Sequence, residues 1–248
     1  MNIESVIEKC KMLKLKAIAD HLEQTIVLAE QRNWTPLQTI DHLFELELEL
    51  RKKNKIDRCF KQSRLYEKTT IDQFDFAFHG SRKNQKSRIL NLLDLGFIEQ
   101  RKDVILIGNP GVGKSFLAKC MAYAATQAGL KVLFATAMDM INHLIAADAD
   151  HSLLKKLHHY QSQELLVIDE IGYLSLGTQG SNLFFQVISA RHERKSTVLT
   201  TNRPFAQWGE IFDNTTVATA IADRLVYNSE VLILEGSSYR KRMKDKAE

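Results

Sequence analysis

The sequence has few cysteines and no long apolar run. Its three cysteines, Cys10, Cys59 and Cys120, stand far apart and form no C-x-x-C pair, which disfavours both a disulfide framework and a compact zinc site. No segment approaches the roughly 20 apolar residues that a membrane-spanning helix needs, and the charged amino terminus does not have the pattern of a secretory signal. We therefore expect a folded protein of the reducing cytoplasm that does not attach to a membrane.

Glycine is missing from the amino-terminal part of the chain, where the first glycine is Gly80. Apolar residues recur there at helical spacing. Thr35 and Pro36 are typical of a helix start, with Thr35 as the capping residue. The stretch "LFELELELR" alternates like a strand, but Leu and Glu favour helices and no turn residues flank it. We predict a helical domain over residues 1–70 that serves partner or DNA binding.

Short apolar segments alternate with helical stretches in the rest of the chain. These predicted strands lie at 104–107, 131–136, 165–168, 197–200 and 230–234. Such an alternation predicts an α/β fold, in which a parallel five-stranded sheet is covered by helices on both faces. The core built in this way would span residues 71–248.

The stretch "GNPGVGKS" follows the first predicted strand and matches the phosphate-binding loop pattern G-x-x-x-x-G-K-[ST]. Its glycines would let backbone N–H groups point at a polyphosphate, and the next helix would add its positive amino-terminal end. Lys114 would reach the β- and γ-phosphates, and the Ser115 hydroxyl would hold Mg²⁺. A glycine turn that binds nothing is the alternative, but a strand before and a helix after are the context that the loop requires. The predicted ATP-binding residues are Gly108, Asn109, Pro110, Gly111, Val112, Gly113, Lys114 and Ser115.

Two acids follow the apolar segment 165–168. Asp169 would emerge at the carboxyl end of that strand, where parallel α/β sheets place their ligands, and would bind the same Mg²⁺ as Ser115. Glu170 beside it could polarise a water for attack on the γ-phosphate, which a hydrolase needs and a small-molecule kinase does not. The alternative is that Glu170 only faces solvent at a strand end.

A polar pair, Thr201 and Asn202, ends the predicted strand 197–200. The neutral amide of Asn202 could hydrogen-bond both the γ-phosphate and the attacking water. A further strand, 131–136, lies between the loop's helix and the acidic pair. This insertion is typical of the class that includes AAA+ and RecA-like ATPases, so the pattern favours a motor or a switch over a kinase.

A set of motifs in a fixed order resembles the IstB family of transposition helper ATPases: "GNPGVGKSFLA", "VIDEIGYL", "LFFQVISARHERKSTVLTTNRPFAQWGEIF", "AIADRL" and "GSSYR". The resemblance covers essentially the whole chain and extends to DnaC-type helicase loaders. It implies an AAA+ core without a C-terminal helical lid, an N-terminal helical region, and "FDFAF" at 74–78 beside the adenine pocket. It also implies ATP-driven assembly into a homo-oligomer on duplex DNA, together with a cognate transposase.

The same resemblance implies roles for two arginines. Arg224 of "ADRL" resembles the arginine finger that enters a neighbouring subunit's site, and Arg240 of "SSYR" resembles a second sensor that touches phosphate. A planar, permanently charged guanidinium suits both tasks, although a single arginine is more commonly a solvated surface residue. Some related sequences carry a further arginine one helical turn before the finger, and this chain has Ala220 there.

Three basic runs, at 51–58, 81–88 and 239–246, are candidates for phosphate contacts to DNA. Contacts that do not read bases would suit a helper that acts at many target sequences, whereas the alternative is that these runs only coat helices in water. We expect the aromatic residues Tyr66, Phe74 and Phe78 to lie in the core rather than stack on bases. His158 and His159 have no acidic or cysteine partners, so we expect them at the surface.

The sequence thus predicts an ATP-hydrolysing, Mg²⁺-dependent protein that oligomerises on duplex DNA and supports transposition. Two alternatives remain open at this point. One is a replicative helicase loader, and the other is an adaptor that binds ATP and barely hydrolyses it.

Overall fold

The structure is a computed structural model that describes residues 2–240 and 242. By its internal packing the chain divides into two units, of which the first ends at Arg58 and the second begins at Cys59. The predicted domains, 1–70 and 71–248 without a lid, stay a prediction. None of the helices in the described residues is long and apolar enough to cross a membrane.

Three helices contain nearly all of the first unit: α1 (Ile3–Met12), α2 (Lys16–Gln31) and α3 (Pro36–Gln62), the last of which continues into the second unit. The predicted start of α3 is confirmed, because Thr35 Oγ1 accepts a hydrogen bond from the N–H of Gln38 across 3.3 Å. The ambiguous stretch "LFELELELR" lies inside this helix. Its one buried acid, Glu47, accepts a hydrogen bond from the N–H of Ala17 across 2.8 Å, at the first turn of α2.

The second unit holds all the strands: β1 (Asp103–Gly108), β2 (Val132–Thr136), β3 (Leu165–Ile171), β4 (Ser196–Thr201) and β5 (Ser229–Leu234). Its helices are α4 (Gly80–Asn84), α5 (Lys86–Leu93), α6 (Gly96–Glu99), α7 (Lys114–Gln127), α8 (Ala137–Ala149), α9 (Leu153–Gln161), α10 (Gly177–Arg191), α11 (Trp208–Ile211) and α12 (Thr215–Tyr227). Two 3₁₀ turns occur at Ile71–Gln73 and Phe205–Gln207.

All five strands form one parallel sheet in the order β2-β3-β4-β1-β5. The predicted fold class, strand number and alternation with helices are confirmed. One difference concerns β3, which runs on to Ile171 and therefore contains the acidic pair within the strand. Because the strands are parallel, the carboxyl ends of β1, β3 and β4 lie on the same side of the sheet. The predicted loop, the two acids and Asn202 come together there.

Each central strand is buried on both faces. In β1, Ile105 belongs to one apolar cluster, whereas its neighbours Val104 and Leu106 belong to the cluster on the other face. The same alternation holds in β3, where Leu166 and Val167 contribute to opposite clusters. Side chains alternate between the faces of a strand, so two helical layers cover this sheet.

Two buried charged residues bind neighbouring elements at the amino-terminal ends of the strands. The Arg191 guanidinium, 1% exposed, donates hydrogen bonds to the carbonyls of Tyr160, Gln161 and Gln163. Asp103 Oδ1 accepts a hydrogen bond from the N–H of Thr197 across 2.6 Å. Burial raises the pKa of Asp103 to about 7, and the charge of Arg191 opposes this shift only in part.

Candidate active site

The loop between β1 and α7 passes close to other backbone and ring atoms, which explains its glycines. Gly111 and Gly113 have φ of +83° and +104°, in the left-handed region that favours glycine. A Cβ at Gly111 would lie 2.2 Å from Ser238 Oγ, and one at Gly113 would lie 2.7 Å from the Phe74 ring. Because α7 begins at Lys114, the loop delivers the free N–H groups of that helix to the site.

The side chain of Lys114 curls back over the loop. Its Nζ donates hydrogen bonds to the carbonyls of Gly108 and Asn109 across 2.8 and 3.0 Å. Burial lowers the pKa of Lys114, and the negative charge of Asp169 opposes that shift. The ammonium is therefore fixed beside the loop N–H groups, where a polyphosphate would need it.

Hydroxyl groups from two elements converge on Asp169. Ser115 Oγ, in the first turn of α7, donates a hydrogen bond to Asp169 Oδ1 across 2.9 Å. Thr200 Oγ1, on the neighbouring strand β4, donates to the same oxygen. Asp169 is buried. Mg²⁺ binds oxygen ligands such as hydroxyls and carboxylates. Ser115 and Asp169 supply one of each beside the phosphate-binding loop, so these residues fit that ion.

Glu170 lies at an irregular point of β3. The register of β3 against β4 shifts between Ile168 and Ile171, and Glu170 has φ of +63°. Its N–H donates a hydrogen bond to Thr200 Oγ1 across 2.9 Å. A left-handed residue other than glycine costs about 1 to 3 kcal/mol and is often found at functional sites. Here the shift releases Glu170 from the ladder, so its exposed carboxylate lines the cavity beside the loop.

A cavity of about 290 Å³ brings most of the predicted residues together. Those that line it are Gly111, Gly113, Lys114, Ser115, Glu170, Asn202 and Arg240. Asp169 reaches it through the hydrogen bond to Ser115. Gln73, Phe74, Phe116 and Tyr239 form a largely aromatic wall, which suits a flat ring.

Asn202 has a buried polar atom that the described residues leave without a partner. Its Oδ1 is buried, and no described group donates a hydrogen bond to it. Such orphaned atoms are rare, and a bound ligand or water is their common explanation. Asn202 also lines the cavity beside the loop.

The two predicted arginines lie in different places. Arg240 is exposed and lines the cavity. Arg224, on α12, is not among the described residues that line it. The Arg224 guanidinium instead lies 4.7 Å above the ring of Phe185 and donates a hydrogen bond to the carbonyl of Ala220 across 2.9 Å.

Some residues of the site escaped the sequence analysis. In the sequence, Thr200 is only the last residue of a predicted apolar strand, whereas in the structure it bonds both acids. A hydroxyl at the end of a strand next to the acidic strand was the signal that could have identified it. Arg82 belongs to a basic run of the sequence, yet it is 3% exposed and contacts the loop.

One aromatic prediction is wrong and another is confirmed. Tyr66 is 100% exposed, although we expected it in the core. Its neighbour Leu65 fills the core position there. Phe74 is buried, as expected. Both His158 and His159 lie at the surface, also as expected.

The basic runs differ in exposure. In 51–58 every lysine and arginine is exposed. In 81–88, Arg82 is buried and Arg88 pairs with Glu230. Most of the run 239–246 lies outside the described residues. Of the two runs that are described in full, 51–58 therefore has more cationic groups free to meet another molecule.

Comparisons with known proteins find relatives over nearly the whole chain. The family model described as "IstB-like ATP binding protein" matches residues 8–247. The chain is 36% identical over 241 residues to the ATP-binding protein of insertion sequence IS5376 from Geobacillus stearothermophilus, a match that covers 97% of this chain and 95% of that protein. It is 35% identical over 235 residues to the ATP-binding protein of insertion sequence IS21 from Pseudomonas aeruginosa, covering 95% and 88%.

Solved structures share the fold at lower identity. The DnaC helicase loader superposes with a TM-score of 0.57 and 22% identity over 67% of this chain and 96% of that chain. AMPPCP-bound DnaA from Aquifex aeolicus gives a TM-score of 0.59 and 18% identity, over 74% and 56%. At these identities the likeness concerns the fold alone, and it confirms the fold class predicted for the sheet and its helices.

Proposed function

Since this chain belongs to the family of IstB-like ATP-binding proteins, we propose that it hydrolyses ATP with Mg²⁺, assembles on duplex DNA and supports the transposase of an insertion sequence. One observation carries the enzymatic part of this proposal. Lys114, Ser115 and Glu170 line one cavity, and Asp169 joins it through Ser115 at 2.9 Å. A phosphate loop that only held a nucleotide would not need the second, exposed acid.

Each loop residue has a physical task in binding. The N–H groups of the loop and the first turn of α7 would hold the phosphates, and the Lys114 ammonium would neutralise their charge. Ser115 and Asp169 would hold Mg²⁺. When bound, that ion supplies positive charge to phosphate oxygens and orients them.

Hydrolysis needs a positioned water. Glu170 is exposed toward the cavity, so its carboxylate would accept a hydrogen bond from a water that attacks the γ-phosphate. Asn202 lines the same cavity, and its amide would hydrogen-bond both the γ-phosphate and that water.

In this proposal, Arg240 acts in the site of its own chain and Arg224 in the site of a neighbouring chain. Arg240 lines the cavity of its own chain and would contact phosphate there. Arg224 does not line that cavity among the described residues, and it borders a shallow groove on α12 with Thr219 and Ala220. We assign Arg224 to the site of a neighbouring subunit, where its charge would stabilise the transition state. Hydrolysis would then depend on assembly.

Two observations support the DNA and transposase part of the proposal: the names of the relatives and the exposed cations on α3. The curated relatives at 35 and 36% identity are named as ATP-binding proteins of insertion sequences. On α3, Lys52, Lys53, Lys55 and Arg58 are exposed, and they would neutralise DNA phosphates without reading bases.

ATPase activity measured with and without duplex DNA tests this proposal. We expect Mg²⁺-dependent release of phosphate. Its rate per chain should rise with protein concentration, because the site needs a neighbour's arginine. We also expect the encoded transposase to copurify on DNA only when ATP is present. ATP binding without hydrolysis under all of these conditions would instead identify an adaptor.

A further inference from the structure

Arg82 is a buried cation whose hydrogen bonds go to backbone carbonyls. It lies in α4 and is 3% exposed. Its Nε and Nη2 donate to the carbonyl of Val112 across 3.1 and 2.7 Å, and its Nη1 donates to the carbonyl of Asp75 across 3.0 Å. Removing a guanidinium from water costs desolvation free energy. The contacts of Arg82 must therefore offset this cost in the folded protein.

Three aromatic rings surround the same guanidinium. Its carbon lies 4.4 Å from the ring centre of Phe74, 4.9 Å from that of Phe78 and 5.3 Å from that of Tyr239. Phe74 and Phe78 come from the segment before α4, whereas Tyr239 follows β5. Cation–π attraction is stronger when the cation is desolvated, as it is here. One side chain therefore joins the phosphate loop to two segments that are distant in sequence.

The contact with Val112 fixes the direction of a loop N–H. In a planar trans peptide, the C=O of one residue and the N–H of the next point in opposite directions. The Val112 carbonyl points at Arg82, so the Gly113 N–H points away from Arg82. Among the described residues this N–H donates no hydrogen bond. It is thus a free donor in a glycine that lines the cavity.

Tyr239 acts on the preceding peptide in the same way. Its own N–H donates a hydrogen bond to the carbonyl of Gly111 across 3.0 Å, so the Val112 N–H points away from Tyr239. Arg82 and Tyr239 stack on each other. Two consecutive loop peptides therefore bond to Arg82 and Tyr239, on the side away from their N–H groups. Arg240 directly follows Tyr239 in the chain, so its position depends on the same contacts.

We propose that Arg82 is a positioning residue for nucleotide binding, which holds the Val112–Gly113 peptide with its N–H toward the phosphates and, through Tyr239, keeps the segment of Arg240 on the loop. This inference rests on the proposed ATP site. It separates Arg82 from the DNA-binding task that its basic run suggested. Since the oriented N–H groups would bind phosphates beyond the first, the effect depends on the number of phosphates in the ligand.

The test compares the dissociation constants of AMP, ADP and ATP for the full chain and for Arg82→Met, which keeps an unbranched stem and removes every donor. We expect ADP and ATP to bind about tenfold more weakly, while AMP changes less than twofold. Arg101→Met, an exposed arginine at the other edge of the sheet, is the matched control and should change none of the three constants. An equal loss for all three nucleotides, or no loss, would overturn the inference.

A second variant decides the case in which Arg82→Met does not fold. Phe78→Leu removes a ring whose centre lies 4.9 Å from the Arg82 guanidinium and leaves the Arg82–Val112 hydrogen bonds. Phe78 is not among the described residues that line the cavity, so ADP and ATP should again lose more affinity than AMP. The effect of this variant should also be less than additive with that of Arg82→Met wherever the double variant folds. Unchanged constants in Phe78→Leu would refute the role of this aromatic contact in holding Arg82 on the loop. Failure of the unaltered protein to bind ATP would instead refute the proposed site itself.

Discussion

The backbone N–H of Glu170 donates a hydrogen bond to Thr200 Oγ1 across 2.9 Å, and that same hydroxyl donates its proton to Asp169 Oδ1. A single side chain of β4 thus fixes both acids of β3. Asn202 stands two residues further along β4, beyond the strand end. The position of Glu170, whose carboxylate we propose to polarise water, is therefore coupled to the segment that would contact the γ-phosphate.

Thr200→Val should lower the turnover number while leaving the affinity for ATP close to that of the parent. Valine keeps the shape of threonine but removes the hydroxyl, so the Glu170 N–H loses its acceptor and the irregular backbone loses a restraint. We expect a fall in kcat of about tenfold, in line with the loss of one charge-assisted hydrogen bond. Thr126→Val, which removes a buried hydroxyl on α7 that donates to the Tyr123 carbonyl, controls for the loss of a buried polar group. A larger effect on KM than on kcat would contradict this assignment.

Glu170→Gln should bind ATP and Mg²⁺ normally and hydrolyse ATP at least about a hundredfold more slowly, which is the lower limit of the range of about 10² to 10⁴ for general bases. Glutamine keeps the shape of glutamate and loses its charge. Lys114→Ala is the contrasting variant, and it should lose nucleotide binding itself. Binding is followed with a fluorescent ATP analogue, and hydrolysis by phosphate release at saturating DNA. Parent-like turnover by Glu170→Gln would show that the carboxylate has another role.

Local patterns predicted the sheet and the loop because their residues act over short distances in sequence. The strands show as apolar runs, and the loop shows as glycines beside Lys114. Arg82 could not be predicted in this way, since its burial depends on the carbonyl of Val112 and on the ring of Tyr239, both far along the chain. The predicted burial of Tyr66 is wrong for a related reason. Hydrophobicity alone does not decide whether Tyr66 or Leu65 packs into the core.

Arg224→Ala and Glu170→Gln should each be nearly inactive alone and regain ATPase when mixed. A mixed interface can pair the intact Arg224 of one chain with the intact Glu170 of its neighbour, if the finger acts across the subunit boundary. Activity is measured over a range of mixing ratios, with co-assembly checked by pull-down of one tagged variant. Co-assembled mixtures that stay inactive would place Arg224 in its own chain's chemistry or outside catalysis.

The buried Asp103 predicts how stability depends on pH. Its ordinary pKa is 3.8 and burial raises the folded value to about 7, so between these values the folded state binds the proton more tightly than the unfolded state. Stability should therefore fall as the pH rises through this window, by about 2 to 3 kcal/mol between about pH 5 and pH 8. Asp103→Asn keeps an acceptor for the Thr197 N–H and should remove this part of the slope. Denaturant titrations at several pH values measure it, with the exposed Asp94→Asn as control. Identical slopes in all three proteins would exclude this role of Asp103.

The basic run on α3 should determine a definite part of the salt dependence of DNA binding. Lys52, Lys53 and Lys55 are exposed, and each contact with a DNA phosphate adds about 0.9 to the slope of log affinity against log salt. Replacing all three with Gln should make that slope shallower by up to about 2.7 if each contacts one phosphate, and ATP affinity should not change. The matched control replaces Lys9, Lys11 and Lys16, which are also exposed and lie in the same unit. Net charge falls equally in both variants, so a merely global electrostatic effect would shift both slopes alike. Only a selective effect of the α3 variant would place DNA phosphates on this helix.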